Sequence, residues 1–425
     1  MRSRSFGALG LWLIVAAPLF AQGTLAPPPS PAPPTAPAPY QVPPPSNPYA
    51  VRDAGSSPAG LAPPPPPPYV PADPPLRLVN ADPENFHVWV RAELLAWWVK
   101  HAPLPVPIAV ATDGNGNSQT VVGNANNDFG AFVGGRFSLG AWFDEHNNYG
   151  FETIFFSLER RSNNQAVFSD DNGNPAIGLS YTSATPGQAG EFIQYLSTPG
   201  NFAGNILVTS TLSLWGAEIN GAVCALRVGG LEFTALAGFR YVDLHENLYI
   251  SSGSTDVATG DFMLLNDQFS ARNQFYGGQV GARVNWHGTR LSFDATGKLA
   301  VGGTQQTVDV QGTSVSSNGG FSPGGFFAQP SNSGHYTASQ FGIIPSMELK
   351  LSYEFSRAWR LFVGYDFMYW NQVVRPGNQV DRNVNLSQSP LLGNGTLTGP
   401  ASPGPILSRS DFWAQGITLG FELRF

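Results

Sequence analysis

Asp243 and His245 are the two residues whose spacing best suits acid–base chemistry. Residues two positions apart in an extended strand point to the same face. The carboxylate could therefore orient the imidazole as a general base. The chain has no GxSxG segment and no convincing acidic partner pair beside these residues. We therefore expect a hydrogen bond at the end of a strand and a protein without catalytic residues.

Two segments rich in Asp and Asn resemble the start of a calcium-binding loop. An EF-hand loop needs glycine at its sixth position and glutamate at its twelfth. The segment that begins at Asp113 has Ser118 and Asn124 there, and Asp170 begins a similar cluster. The same composition is typical of tight turns. We expect turns and no metal or cofactor, with calcium binding at the loops as the open alternative.

The other charged residues follow a strict alternation within ten segments. In the segment 289–303, for example, Leu291, Phe293 and Ala295 alternate with Ser292 and Asp294. Successive strand side chains point to opposite faces, so each segment has one apolar face and one polar face. The ten predicted strands are 86–98, 128–143, 148–159, 209–226, 230–247, 271–287, 289–303, 338–355, 358–371 and 410–425. Pro345 deletes a ladder hydrogen bond, which predicts a bulge there.

The composition and the connections favour a membrane barrel. Only 12% of the residues are charged, about half the usual 25% of soluble proteins, although the mean hydropathy is −0.10. Beyond the N-terminus no stretch approaches the roughly 20 apolar residues of a spanning helix, and a closed barrel is the other structure that satisfies its backbone in lipid. Short links alternate with long ones along the predicted strands, as in outer-membrane barrels. We predict an all-β, antiparallel transmembrane barrel of ten strands; a further hairpin within 160–208 would make twelve.

The polar faces of the predicted strands carry nine acids and eight bases. A ten-stranded barrel is narrow, so opposite charges can pair across its lumen. A small conducting pore and a lumen closed by ion pairs both fit this near balance. The predicted lumen-lining residues are Arg91, Glu93, Arg136, Glu152, Glu218, Glu232, Arg240, Arg283, Asp294, Lys298, Glu348, Lys350, Glu354, Arg360, Asp366, Glu422 and Arg424.

Two further segments have predicted roles. The link after the ninth strand contains Arg375, Asp381 and Arg382, which either fold inward as a constriction or lie in a solvated outer loop. The chain ends on alternating apolar residues with a terminal aromatic, and Phe421, Leu423 and Phe425 resemble the signal read by the barrel-insertion machinery. Barrel closure requires this last strand to pair with the first.

The N-terminal region indicates export. Residues 1–23 combine Arg2 and Arg4 with an apolar core and small residues, as in a signal peptide. Residues 24–85 are rich in proline and cannot form a core, which predicts a disordered periplasmic linker that is either inert or a tether to the cell wall. Cys224 is the only cysteine, so no intramolecular disulfide forms. The net charge of −7 and the lack of a basic cluster argue against nucleic acid.

Several motifs in the predicted barrel, residues 86–425, resemble a known family. They are AWWVKHAPLPVPI at 96–108, GGRFSLGAWFDEHNNYGFETIFFSLERRS at 134–162, LWGAEIN and LAGFRYVDLHE within 214–246, FYGGQVGAR and DATGKLAVGGT within 275–304, and VGYDFMYWNQVVRPGNQVDRNVN at 363–385. Together they resemble the putative beta-barrel porin family seven of bacterial outer-membrane proteins. The resemblance implies a barrel in the outer membrane and brings no catalytic or ligand residues with it.

These observations predict an outer-membrane protein that acts as a small passive pore for small hydrophilic solutes. The alternative is a closed-lumen structural, adhesion or scaffold protein of the cell envelope. The expected partners are outer-membrane lipid, the insertion machinery and, through the proline-rich segment, the cell wall.

Overall fold

The computed structural model describes residues 88–114 and 116–425, so the predicted signal peptide and linker lie outside the described residues. Seventeen strands, numbered β1 to β17 in chain order, make up most of this part. Ten of them form an antiparallel ring, in which each pairs with the next and β17 pairs with β1. The ring strands are β1 (Val88–Val99), β4 (Phe132–Trp142), β5 (Tyr149–Leu158), β9 (Phe202–Val228), β10 (Leu231–Asp256), β11 (Phe262–His287), β12 (Leu291–Ser316), β14 (Gly334–Glu354), β15 (Trp359–Val374) and β17 (Arg409–Arg424). The prediction of a ten-stranded barrel is confirmed.

The links between ring strands separate into two rims. The turn rim has the links 143–148, 229–230, 288–290 and 355–358, and the long links all lie at the loop rim. In outer-membrane barrels the short turns face the periplasm and the long loops face outward. Within the described residues, no helix is long and apolar enough to cross a membrane.

The amphipathic pattern of the long strands inverts partway along them. Near the turn rim, β10 exposes Phe233 and Phe239 on its outer face and buries Arg240 inside. Further along the same strand, Leu244 and Leu248 are buried inside, while polar residues such as His245 face outward. Lipid favours the first arrangement and water the second, so each long strand crosses from a membrane segment to an aqueous one.

A row of aromatic rings marks this transition. Trp215, Tyr241 and Tyr276 lie on the neighbouring strands β9, β10 and β11. Their ring centroids are 4.9 Å and 5.3 Å apart, and Phe155 of β5 extends the row at 6.1 Å from Trp215. Aromatic belts lie at membrane–water interfaces, which places the outer edge of the bilayer at this row.

The long links fold into a structured layer at the loop rim. The strands β2 (Ala102–Thr112), β3 (Ser118–Asn127), β7 (Ala176–Ser183), β8 (Gly190–Ser197) and β16 (Asn383–Val384) form a second sheet in the order β16-β7-β2-β3, with β8 on β7. We call this sheet, together with the segments 323–333 and 375–408, the outer cap. Its apolar side chains share one buried core with the upper parts of β9 to β12, including Ile177, Leu248, Phe269 and Phe326.

The segment 160–208 contains strands, but they do not enlarge the ring. β6 (Arg161–Phe168) continues beyond β5 and pairs with β9, whereas β7 and β8 join the cap sheet. The short β13 (Gly320–Pro323) pairs only with β12. The ring therefore has ten strands, and the hairpin that the twelve-stranded alternative required, β7 and β8, belongs to the outer cap.

The bulge predicted at Pro345 is not present in the pairing with β12, where Pro345 lies opposite Leu299 in continuous register. Instead, the ladder between β14 and β15 ends at Ser346, the next residue. Proline has no N–H to donate, and here its missing donor coincides with the end of a ladder. Beyond this point β15 shifts register at Trp370 and turns inward.

Candidate functional site

The barrel interior contains a cluster of charged side chains at the level of the membrane. We call Glu93, Arg136, Glu218, Arg240, Lys298, Glu348, Lys350 and Asp366 the lumen cluster. Arg136 on β4 lies 2.6 Å from Asp366 on β15 and 3.2 Å from Glu348 on β14, and Lys350 on β14 lies 2.9 Å from Glu93 on β1. These strands are not neighbours in the ring, so the ion pairs cross the interior.

The other predicted lumen residues lie between this cluster and the turn rim. Arg283 of β11 contacts Glu152 of β5 at 2.7 Å, again across the interior. Closer to the rim, Glu422 is shared by Arg91, Arg360 and Arg424. The remaining contacts in this layer are Arg360 with Glu354, Arg227 with Glu232, and Asn285 with Asp294. All seventeen predicted residues therefore point inward from their strands, and the two layers adjoin each other.

Two cavities between these charges are small. The cavity between Arg136, Glu218 and Glu348 measures about 30 Å³, and that between Arg91, Arg283 and Lys350 about 10 Å³. One water molecule needs about 10–15 Å³ of such volume. A larger space of about 130 Å³ opens at the turn rim and is lined by Trp89, Trp142 and the rim charges. Within the described residues, the barrel interior at the level of the membrane is therefore packed with polar side chains. The space at the turn rim forms a small vestibule next to it.

An apolar layer covers the lumen cluster on its outer side. Phe132, Phe275, Trp370 and Phe412 are fully buried and come from four different ring strands. The indole N–H of Trp370 donates to the Thr304 hydroxyl at 3.1 Å, so the one polar atom of this ring is satisfied.

A buried ion pair connects this layer to the outer cap. The guanidinium of Arg375 donates to the two carboxylate oxygens of Glu246 at 2.8 Å and 2.5 Å, and both side chains are at most 1% exposed. Arg375 also donates to the carbonyl oxygens of Lys100 and His101, so three separate segments meet at one side chain. Glu246 is not among the predicted lumen residues, although it has the same strand parity as Glu232 and Arg240.

Asp381 and Arg382 do not join Arg375. Arg382 donates to Glu191 at 2.7 Å and to Ser180 on the surface of the cap. The Thr182 hydroxyl and then Arg382 hold the pKa of Glu191 below its usual value. Asp381 accepts backbone N–H bonds from residues 383 and 404. The predicted constriction thus separates into one buried residue and two at the cap surface.

Asp267 is a second buried acid that is absent from the predicted site residues. Its hydrogen bonds fix the segment 323–333. Its carboxylate accepts the N–H of Ala328 at 2.7 Å, with further bonds from Phe326 and Phe327. The side chains of these three residues are fully buried. Burial raises the pKa of Asp267 from 3.8 to about 7 despite the three N–H donors.

The residues that suggested catalysis or calcium binding have other partners. Asp243 accepts hydrogen bonds from Arg272 at 2.7 Å and from the Tyr241 hydroxyl at 2.9 Å, while His245 contacts Ser270. Asp170 accepts the N–H groups of residues 172 and 174, as in an Asx turn. Among the described residues, no group of three or more His, Cys, Asp or Glu is arranged to hold a metal.

The last strand closes the ring. Phe421 and Phe425 point outward from β17, and the N–H of Phe425 donates to the Val88 carbonyl at 2.9 Å. Together with the lipid-facing apolar surface and the two distinct rims, this closure defines an outer-membrane β-barrel with a packed interior.

The comparison with protein families identifies the group. A sequence model described as Putative beta barrel porin-7 matches residues 89–425, and the chain belongs to this family. No curated protein matches the chain.

Solved structures resemble the chain only distantly. The outer membrane protease OmpT from Escherichia coli is 8% identical, with 81% of this chain and 98% of that chain covered and a TM-score of 0.39. The toluene transporter TodX from P. putida is 10% identical, with 80% and 90% covered and a TM-score of 0.17. A Pseudomonas aeruginosa FadL homologue is 8% identical, with 80% of this chain and 90% of that chain covered and a TM-score of 0.21.

The Arg375–Glu246 pair yields a first prediction. Replacing Arg375 by methionine leaves the Glu246 carboxylate buried without its partner, which typically costs about 3–5 kcal/mol. We expect Arg375→Met to lower the unfolding midpoint, measured by heat-modifiable gel mobility, and Arg375→Met/Glu246→Leu to recover part of the loss. Lys100→Met is the matched control, because the Lys100–Asp411 pair is partly exposed and such pairs contribute at most about 1 kcal/mol. Equal midpoints for Arg375→Met and Lys100→Met would contradict the prediction.

The raised pKa of Asp267 yields a second prediction, which concerns the dependence of stability on pH. The folded protein keeps the proton up to about pH 7, whereas the unfolded chain releases it near pH 4, so this group's stabilisation is lost as the pH rises between these values. We expect amide hydrogen exchange of Phe326 to Ala328, corrected for intrinsic rates, to be slower at pH 5.5 than at pH 7.5. Asp267→Asn keeps an acceptor oxygen without a titrating proton and should abolish the difference. A difference that persists in this variant would assign it to another group.

Proposed function

We propose that this protein is a closed-lumen, non-enzymatic component of the outer membrane that anchors the outer cap at the cell surface. The observation that carries the proposal is that three barriers to the passage of ions follow one another along the barrel axis. Ion pairs cross the barrel at the lumen cluster, an apolar layer lies above them, and Arg375 is bound to Glu246 above that layer.

Electrostatics supports a closed lumen. A mobile ion that entered the lumen cluster would have to displace charges that already pair at 2.6–3.3 Å. Such pairs interact strongly in a restricted, low-dielectric interior. The apolar layer adds a second barrier, because an ion there would lose its hydration without gaining polar partners.

The construction of the outer cap supports a role at the surface. Its sheet and segments share a buried apolar core with the barrel wall, so the long links are fixed by packing. A rigid platform of this kind is suited to presenting binding residues, as loops on other β-scaffolds do.

The pore predicted from the sequence remains the second candidate. The vestibule of about 130 Å³ at the turn rim favours it, because this space contains Arg91, Arg283 and Glu422 and opens toward the periplasmic side. Conduction through the barrel would require the lumen cluster and the cap to rearrange.

The proposed partners follow from the surface of the barrel. Lipid would contact the apolar outer face, and the insertion machinery would bind the terminal strand at Phe421, Leu423 and Phe425. The proposal also keeps the cell wall as a partner of the proline-rich segment and excludes nucleic acid.

Planar bilayer recording tests the closed lumen. We expect the wild-type protein to give no conductance when heat-modifiable gel mobility shows that it is folded. Deletion of residues 375–382 should also leave the bilayer silent, because the lumen cluster below remains intact. Steady single-channel current from the wild-type protein would overturn the proposal in favour of the pore.

A positive control shows that an open barrel would be detected. The variant Arg136→Ser/Lys298→Ser/Glu348→Ser, combined with Phe275→Ala, Trp370→Ala and the deletion of 375–382, removes charges of the lumen cluster, two rings of the apolar layer and part of the cap. This combined variant should conduct where the wild-type protein does not.

A further inference from the structure

A groove lies on the outward face of the barrel wall, far from the charged interior. It is formed where β6, β9, β10 and β11 pair side by side, in the row Phe168, Asn205, Gly253 and Leu264. The groove measures about 450 Å³, which falls within the range of about 300–1,000 Å³ found for ligand pockets. We call it the wall groove.

Two aromatic side chains form the walls of the groove. Phe168 is 65% exposed and Phe262 is 46% exposed. They lie on the outer strands of the four, and Phe262 is two residues beyond the row of Phe168. Three strand spacings of about 4.8 Å and a rise of about 6.6 Å therefore separate their backbones by roughly 16 Å. Both residues lie on the aqueous side of the aromatic belt, where lipid does not cover them. A ligand that covered both rings would remove their apolar surface from water, which is favourable.

Gly253 forms the floor of the groove because it has no side chain. A Cβ at Gly253 would meet only the side chain of Asn205, at 3.5 Å, which is ordinary van der Waals contact. Glycine is therefore not required here for backbone packing, and its effect is to leave a notch between the aromatic walls.

The polar lining consists of acceptors and neutral groups. Asp171 is exposed and makes no side-chain hydrogen bond or ion pair within the described part of the chain, while Asn205, Ser254 and Thr255 add amide and hydroxyl groups. Asp170 uses one carboxylate oxygen in its turn, and the other remains available. Among the described lining residues there is no lysine, arginine or histidine.

We propose that the wall groove binds a neutral carbohydrate chain of linked hexopyranose rings. The faces of the phenylalanine rings carry partial negative charge and attract the polarised C–H groups on the flat side of a sugar ring. Carboxylate, amide and hydroxyl groups match the hydroxyls of a sugar in both donor and acceptor roles. The spacing of the two rings requires a ligand longer than a monosaccharide.

The lining also excludes other classes of ligand. An anionic polymer or a lipid phosphate would meet Asp170 and Asp171 without a compensating base. This inference rests on the proposed function only in requiring the loop rim to face outward, and it does not depend on whether the lumen conducts.

Calorimetric titration of the purified full-length protein tests the inference. The detergent should lack a sugar headgroup, as lauryldimethylamine oxide does. The probes are the neutral hexasaccharides cellohexaose, maltohexaose and chitohexaose, with the anionic hexamer of galacturonate as the comparison. We expect at least one neutral probe to bind and the galacturonate hexamer not to bind.

Matched variants locate the binding site. Phe168→Ala and Phe262→Ala should each weaken binding of that probe at least tenfold, and Gly253→Val should do the same by filling the notch. Phe355→Ala is the control, since Phe355 is 64% exposed but lies in the 355–358 link at the turn rim, at the opposite end of the barrel from the groove. Its affinity should equal that of the wild-type protein.

Two results would overturn the inference. One is the absence of binding by all three neutral probes to protein that is folded by heat-modifiable gel mobility. The other is binding that the groove variants and Phe355→Ala affect equally, which would place the sugar elsewhere. Bilayer recordings on the same preparations report on the closed lumen separately, so the two proposals fail independently.

Discussion

Ring closure between β1 and β17 is the constraint on which the rest of the structure depends. In lipid every backbone donor and acceptor must be satisfied within the protein, and only a closed barrel achieves this with strands. Eleven consecutive residue pairs, from Trp89 with Arg424 to Val99 with Ala414, form the closing ladder. Once the ring is closed, each inward charge has only other inward side chains and little water as neighbours. The pairing of acids with bases across the interior follows from that confinement.

The second feature that organises the structure is that each long strand has one segment in lipid and one segment in water. Below the aromatic belt the ring has apolar residues outside and polar residues inside, and above the belt the order is reversed. The upper part therefore resembles a water-soluble β-protein whose core includes the cap. The apolar layer around Trp370 and Phe275 lies between the two regimes and packs against both.

Much of the ring could be predicted from the sequence, because lipid imposes a simple alternation with few exceptions. All ten strands were found, but β9 to β12 extend 7–13 residues further toward the loop rim than the alternation of the membrane segment indicated. The reason is the inversion: above the belt the outward residues become polar, so the strand no longer has the pattern of a barrel strand.

The outer cap was less accessible to prediction. Its short strands lie within links rich in Gly, Asn and Ser, and their partners, such as β16 for β7, are distant in sequence. Glu246 and Asp267 became significant only when folding buried them beside residues more than 60 positions away. The partners of Asp243 were also beyond reach of the sequence, because Arg272, which donates to its carboxylate, lies on the neighbouring strand β11.

The extra length of β9 to β12 sets the height of the wall groove above the membrane. Gly253 follows Tyr241 of the aromatic belt by twelve residues along β10, and with a rise of about 3.3 Å per residue and a tilt near 40° this corresponds to a height of roughly 30 Å above the bilayer. That height exceeds the depth of a lipid headgroup layer several times. The wall thus acts as a spacer on one side of the molecule and holds the wall groove in the aqueous layer, beyond the lipid headgroups.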